Sequence, residues 1–172
     1  MPKAINTKNI VIHCTAGFGN KASILAFWKS LGWRLGGYHI LIDLDGIVHE
    51  LADFGTITNG VLGFNDGIIN IAYIGGVEKL GEKFKGKDTR TIQQKCAIKY
   101  AIELAIEWLK KNGKDVTKDL GVVGHLDYSK DSDNNGTIES WERIKECPSF
   151  DAIKEYSHLY ASKDRLNKLP TK

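Results

Sequence analysis

The segment Ile68-Ile-Asn-Ile-Ala-Tyr-Ile74, closed by Gly75-Gly76, constrains the fold of this chain more than any other. Successive side chains of a strand point to opposite faces, so a run this apolar leaves neither face for water. It reads as a central strand buried on both sides, as in sheets covered above and below. Ile10 to His13 reads as a second short buried strand, and Val122-Val123 as a third strand-like segment leading into His125. Tyr38-His-Ile-Leu-Ile-Asp-Leu44, the turn pair Asp45-Gly46 and Ile47-Val-His-Glu-Leu51 form a hairpin.

Helical spacing appears in two longer stretches. From about Ser23 to Ser30, Ile24, Leu25, Phe27, Trp28 and Leu31 recur at three- and four-residue intervals, and Gly32 is placed to end the helix. The longest helix opens with Thr91-Ile-Gln-Gln94, whose spacing satisfies free amide donors of the first turn. Its apolar face reads as Ile92, Cys96, Ile102, Ala105, Trp108 and Leu109, and Asn112-Gly113 stops it. A loop over 52–65, a polar connection from Glu78 to Asp88 and a last short helix near Asp151 to Tyr160 complete the chain. The expected class is α/β: a central mixed β-sheet flanked by helices, with the loops at one sheet end gathering functional side chains.

Length and composition narrow the class further. At 172 residues the simplest organisation is one domain over residues 1–160, containing an insertion at 131–142, followed by a basic, frayed tail at 161–172. Hydrophobic residues at 42% and charged residues at 26% exclude disordered and fibrous classes. A net charge of +3, spread along the chain, gives no support to nucleic-acid binding. The N-terminus lacks the apolar run of a secretory signal, and no stretch approaches a membrane span. Cytoplasmic synthesis without a signal peptide, no membrane insertion and a monomer are the expectations. Three cysteines, Cys14, Cys96 and Cys147, form an odd set without CxxC spacing, which disfavours a disulfide framework and leaves at least one thiol free.

Chemistry concentrates at three points: His13 in Ile-Val-Ile-His-Cys-Thr, His125 in Val-Gly-His-Leu-Asp, and Cys147 in Lys-Glu-Cys-Pro-Ser-Phe. Taken singly, each histidine reads as a satisfied core or edge residue and Cys147 as a small buried apolar residue. Together, two imidazoles and a thiolate complete three corners of a tetrahedron around zinc and leave the fourth for water, the pattern of a catalytic site.

The segments Ile12-His-Cys-Thr-Ala16, Gly32-Trp33, Gly37-Tyr-His-Ile40, Asp45-Gly46, Gly63-Phe-Asn65, Ile74-Gly-Gly76, Gly124-His125 and Lys145-Glu-Cys-Pro-Ser-Phe150 follow one another in an informative order. In this the chain resembles the zinc-dependent N-acetylmuramoyl-L-alanine amidases of the bacteriophage-lysozyme type, which share a fold with peptidoglycan-recognition proteins. The resemblance implies zinc ligands His13, His125 and Cys147, with Tyr38 and Lys145 as catalytic partners. It also implies a peptidoglycan substrate cut at the amide between N-acetylmuramic acid and L-alanine, by a phage endolysin or prophage-type lytic enzyme. Such an enzyme would reach the wall after lysis, through a pore or by an injector. A non-catalytic recognition module on the same fold, and a calcium-responsive interaction protein with structural zinc, are the competing readings.

Elementary chemistry agrees with these roles. Lys145 lies two residues before Cys147, so in an extended segment both project to one face, where an ammonium stabilises an oxyanion. Tyr38 heads the hairpin, and its phenol either orients the attacking water or bonds the developing oxyanion. No HExxH helix supplies a glutamate base. Two departures from relatives stand out: Asn59-Gly-Val-Leu-Gly-Phe-Asn65 lacks a histidine found there, and His125-Leu-Asp127 replaces His-Arg-Asp. His39, His49 and His158 read as structural or exposed, with His39 the one that could line the cleft.

A second metal pattern lies between the second and third zinc ligands. Asp131-Ser-Asp-Asn-Asn-Gly-Thr-Ile-Glu-Ser-Trp-Glu142 matches a twelve-residue EF-hand loop, with Asp131, Asp133, Asn135, Thr137 and Glu142 as calcium ligands. Gly136 takes the sharp turn and Ile138 the apolar position; the plain alternative is an Asx-rich turn. Calcium there would stiffen the insertion and hold Lys145 and Cys147 toward zinc.

Overall fold

The computed structural model describes residues 3–136, 138–143 and 145–157. In chain order the elements are α1 (Lys3–Asn6), β1 (Asn9–Cys14), α2 (Lys21–Ser30), β2 (Ile40–Ile42), β3 (Val48–Glu50), β4 (Ile68–Tyr73), β5 (Val77–Leu80), β6 (Lys83–Gly86), α3 (Ile92–Lys111) and β7 (Gly121–Gly124). A 3-10 turn (His125–Tyr128) and a π-helical turn (Ile153–Ser157) follow. The main sheet has the order β3-β2-β4-β1-β7, mixed because β3 alone runs antiparallel to its neighbour. This is the α/β architecture expected, and the apolar 68–74 run supplies its middle strand, with all six residues of β4 buried.

Alternation along β1 and β4 divides the interior. Ile10, Ile12 and Cys14, with Ile69, Ile71 and Tyr73, pack under α3. On the opposite face, Val11 joins Val61, Ile68 and Val123, while Ala72 joins Leu41 and Ile74. His13 and Asn70 share that second face. Because β1, β2, β4 and β7 are parallel, their C-terminal ends reach one edge of the sheet, where open α/β sheets bind ligands.

The helices begin where their caps dictate. Asn20 and Ser23 bond reciprocally at the start of α2, two residues before the expected Ser23, and Thr91 and Gln94 do the same for α3. The apolar face of α3 differs from the sequence reading. Ala97, Ile98, Ala101, Ile102, Ala105, Ile106 and Leu109 meet the sheet, whereas Ile92 is 79% exposed and Cys96 is exposed. Both fall on the far side of the 3.6-residue wheel, and the alanines let the helix axis approach the strands. In α2 only Trp28 is buried; Leu25, Phe27 and Leu31 stay largely exposed.

Two turns also differ from expectation. The β2–β3 connection is a three-residue loop over 44–46: Asp43 N–H bonds the Ile47 carbonyl, and Gly46, with φ of 81°, closes on the Asp43 carbonyl. The Glu78 to Asp88 connection is not a loop but an antiparallel hairpin, β5–β6, with Gly81 in a left-handed conformation at its turn. Its strands escape a hydrophobic-pattern reading because lysine occupies both faces. Of the expected last helix only the Ile153–Ser157 turn lies within the described residues; Thr137, His158 and the 161–172 tail lie outside them. Among the described residues no helix is long and apolar enough to cross a membrane.

Candidate metal centre

Three elements converge at the C-terminal edge of the sheet. His13 is the fifth residue of β1 and 1% exposed; His125 is the first residue after β7; Cys147 follows the 131–142 insertion. One donor atom from each lies within 4.8 Å of the others. His13 Nδ1 stands 3.8 Å from Cys147 Sγ, and the two imidazole centroids are 4.9 Å apart.

The Cys-Pro-Ser segment is tied down by hydrogen bonds at each of its three residues. The Cys147 carbonyl accepts from Leu126 N–H at 2.7 Å, the Pro148 carbonyl from the Tyr73 hydroxyl at 2.7 Å, and Ser149 Oγ donates to the Gly76 carbonyl at 2.6 Å. Cys147 Sγ itself accepts the Cys14 backbone N–H at 3.1 Å. A Cβ at Gly76 would overlap Cys14 Sγ, so glycine permits this approach. At the other ligand, the buried Asp127 carboxylate accepts Gly124 N–H at 2.7 Å and fixes the turn that carries His125.

A polar chain that pattern-reading missed orients His13. Asn70 Oδ1 lies 2.8 Å from His13 Nε2, so Nε2–H donates to it and the Nδ1 lone pair is left facing Cys147. Asn70 Nδ2 donates to Thr58 Oγ1 at 2.8 Å, and Asn70 N–H donates to His39 Nδ1 at 2.9 Å. His39 Nε2–H therefore donates to the Thr56 carbonyl. Asn70, Thr58 and His39 are all fully buried, so His39 supports the site from behind instead of lining the cleft. Gly60 packs against the Asn70 amide, where a Cβ would collide. The visible signal was Asn70 itself, the one polar residue of an apolar strand, since a buried amide needs partners.

The electrostatics suit a soft cation. Burial lowers His13 to a pKa of about 3, with His125 the next cause, and lowers His125 to about 4, with Lys145 the next cause. Both imidazoles are neutral at pH 7 and offer lone pairs. Burial, then the neighbouring Cys14 thiol, raise Cys147 well above its ordinary value, so its ionisation is coupled to a cation beside it. Two neutral imidazoles and a sulfur at this spacing fit zinc.

Tyr38 and Lys145 both border this set. The Tyr38 ring centroid lies 5.2 Å from that of His13 and packs edge-on against Trp28 at 5.3 Å; burial raises its phenol above the ordinary range. Lys145 is exposed and lines, with His125, a cleft of about 730 Å³ whose walls include Trp33, Arg34, Leu62 and Tyr128.

The insertion gathers a second set. Carboxylate oxygens of Asp131, Asp133 and Glu142 lie within 4.8 Å of one another. Asp131 accepts the N–H groups of Asn135 and Gly136, and Glu142 those of Ser132 and Glu139. Asn135 Nδ2 donates to Asp133 and Glu139, Gly136 has φ of 85°, and Ile138 is buried. Thr137 lies outside the described residues.

Comparison with known proteins bears on the family and the fold. Residues 3–149 match the family described as N-acetylmuramoyl-L-alanine amidase. An uncharacterized protein of Haemophilus influenzae is 32% identical over 125 residues, covering 68% of this chain and 98% of its own. Among solved structures, the N-acetylmuramoyl-L-alanine amidase LysC from Clostridium intestinale superposes with a TM-score of 0.58 at 22% identity, over 96% of this chain and 89% of that one. A Drosophila PGRP-LB variant in complex with tracheal cytotoxin gives 0.58 at 18% identity, over 89% and 81%.

Proposed function

The chain belongs to the N-acetylmuramoyl-L-alanine amidase family, and on that premise we propose that it is a zinc-dependent peptidoglycan amidase. It hydrolyses the amide between N-acetylmuramic acid and the L-alanine of the stem peptide. The observation that carries this reading is the convergence of His13, His125 and Cys147 donors within 4.8 Å beside an open cleft.

His13, His125 and Cys147 would hold zinc, which when bound would supply Lewis acidity to a carbonyl and to water. The protein's own groups do the rest. Asn70 keeps the His13 proton on Nε2, so the other nitrogen serves as donor. Lys145, at the cleft rim, places an ammonium where the amide oxygen gains negative charge as its carbon becomes tetrahedral. Tyr38, with its phenol held protonated, acts as a hydrogen-bond donor and not as a base, either to the incoming water or to the oxyanion. Trp33, Phe64 and Tyr128 wall the cleft and limit water around the scissile bond.

The 131–142 loop is read as a calcium site that steadies the segment leading to Lys145 and Cys147; the crowding of three carboxylates supports this. The biological setting is that of a phage endolysin or prophage-type enzyme, monomeric and made in the cytoplasm, reaching the wall after lysis, through a pore or by an injector. Digestion of purified sacculi tests the activity. Mass analysis should find stem peptides with a free alanine amine; intact glycopeptides with retained binding would instead identify a recognition module.

A further inference from the structure

Outside the cleft, the β5–β6 hairpin forms a second sheet separate from the main one. Its root is built into the metal centre. Gly75 N–H donates to Thr15 Oγ1, two residues after His13, at 3.2 Å, and the Gly76 carbonyl accepts from Ser149 and from Lys87 N–H. A Cβ on Gly86 would press on the Glu146 side chain at 2.9 Å, so the returning strand lies against the residue between Lys145 and Cys147.

Beyond this root the hairpin leaves the body. Its register pairs Val77 with Gly86 and Lys79 with Phe84, which places these four on one face. Val77 is buried and Gly86 touches Glu146, so this is the inner face, yet Phe84 is 58% exposed. Phe84 meets a second half-bare ring, Phe18, 57% exposed, from the loop after β1, at a centroid distance of 6.1 Å. Leu80, 53% exposed, stands on the outer face. Lys79 is exposed on the same face as Phe84, Lys83 and Lys85 are exposed on the opposite face, and Lys87 pairs with Glu78. Apolar rings held in water beside a site mark a binding surface.

We propose that Phe18, Phe84 and the lysines of the β5–β6 hairpin form a ledge that holds the glycan strand of peptidoglycan during cleavage. This rests on the amidase reading. The scissile amide joins a sugar to a peptide, so substrate leaves the metal centre in two directions. The walled cleft lies on the His125 and Lys145 side; the ledge rises on the Cys14 and Glu146 side. A glycan strand continues past the bond on both sides, which calls for an open surface and not a bounded cleft. Aromatic faces match the C–H faces of sugar rings, and lysines match the carboxylates that wall polymer carries.

The test is co-sedimentation with purified sacculi in a Cys147→Ser background, so binding is read without turnover. Phe84→Ala and Phe18→Ala should each weaken sacculus binding by roughly three- to tenfold, with the thermal midpoint kept. Oligomers of β-1,4-linked N-acetylglucosamine should compete with the parent and not with the double variant. In the active protein, the ratio of kcat/KM on sacculi to kcat/KM on a soluble muramoyl peptide should fall by the same factor, through KM. Parent-like binding by the double variant, an equal loss on both substrates, or loss only when the three lysines become glutamine would overturn the ledge. Failure of the active protein to release stem peptides would sink the amidase reading alone, because the binding arm does not depend on turnover.

Discussion

The described residues hold two clusters of metal-type donors, and these are assembled in opposite ways. His13 lies more than a hundred residues from His125 and Cys147, and the three meet because β1 and β7 run parallel to a common edge where the Cys147 segment packs. Asp131, Asp133 and Glu142 come from one twelve-residue loop and are oriented by its own N–H groups. The first cluster is neutral before a cation arrives, since burial keeps both imidazoles unprotonated. The second is anionic and half in solvent. Tertiary structure sets the first, so its geometry should survive loss of metal; local backbone sets the second, so its order should follow occupancy.

The sharpest way to break the contrast is to exchange donors. Cys147→Ser should abolish stem-peptide release and strip zinc during chelator challenge, whereas Glu142→Gln should leave zinc stoichiometry unchanged by elemental spectrometry. Equal zinc loss in both variants would merge the two clusters into one system. Lys145→Met should lower kcat by about 10²–10³ if its ammonium bonds the oxyanion, with bound zinc retained. Asn70→Ala should weaken zinc by about 10–100-fold in competition with a chromophoric chelator, the usual cost of losing a ligand's orienting partner. Affinity unchanged in that variant would mean that packing alone orients His13.

A smaller effect concerns the metal-free protein. His13 and His125 have folded pKa values of about 3 and about 4, below the ordinary 6.5. The unfolded chain therefore binds more protons between pH 6.5 and 3, and stability contributed by the neutral imidazoles is lost as pH falls through that window. Asp127, raised to about 6 by burial, acts in the opposite sense over part of the range. Two groups outweigh one, so the thermal midpoint of metal-free protein should drop on acidification from pH 7 to 4. Asp127→Asn should steepen that drop. The smallest expected change is a rise of a few degrees in midpoint on adding calcium at about 100 times its Kd, absent in Glu142→Gln. No rise in the parent would remove calcium from the second cluster.

What the sequence made legible follows the same division. The middle strand, the capped α3 and the β2–β3 hairpin were readable because apolar periodicity, Thr91 to Gln94 spacing and an Asp-Gly turn are local signals. The convergence of His13, His125 and Cys147 donors was legible because His13 and Cys147 sit in short motifs. The Asn70–Thr58–His39 chain was not, because hydrogen bonds among residues 39, 58 and 70 depend on strand pairing that no single segment encodes. The β5–β6 hairpin stayed hidden because Lys79, Lys83 and Lys85 mask its alternation. Apolar identity alone assigns Ile92 and Cys96 to the buried face of α3, whereas their angular position on the helix puts both on the exposed side.

One consequence follows from where β1 sits. It is paired with β4 along its whole length and with β7 over residues 9–12, so His13 sits near the end of an interior strand of the sheet. Amides of such strands exchange with deuterium only through global opening. Exchange of a bound ion should therefore be gated by the Cys147 arm, which is held by individual hydrogen bonds to Leu126, Tyr73, Gly76 and Cys14 instead of a ladder.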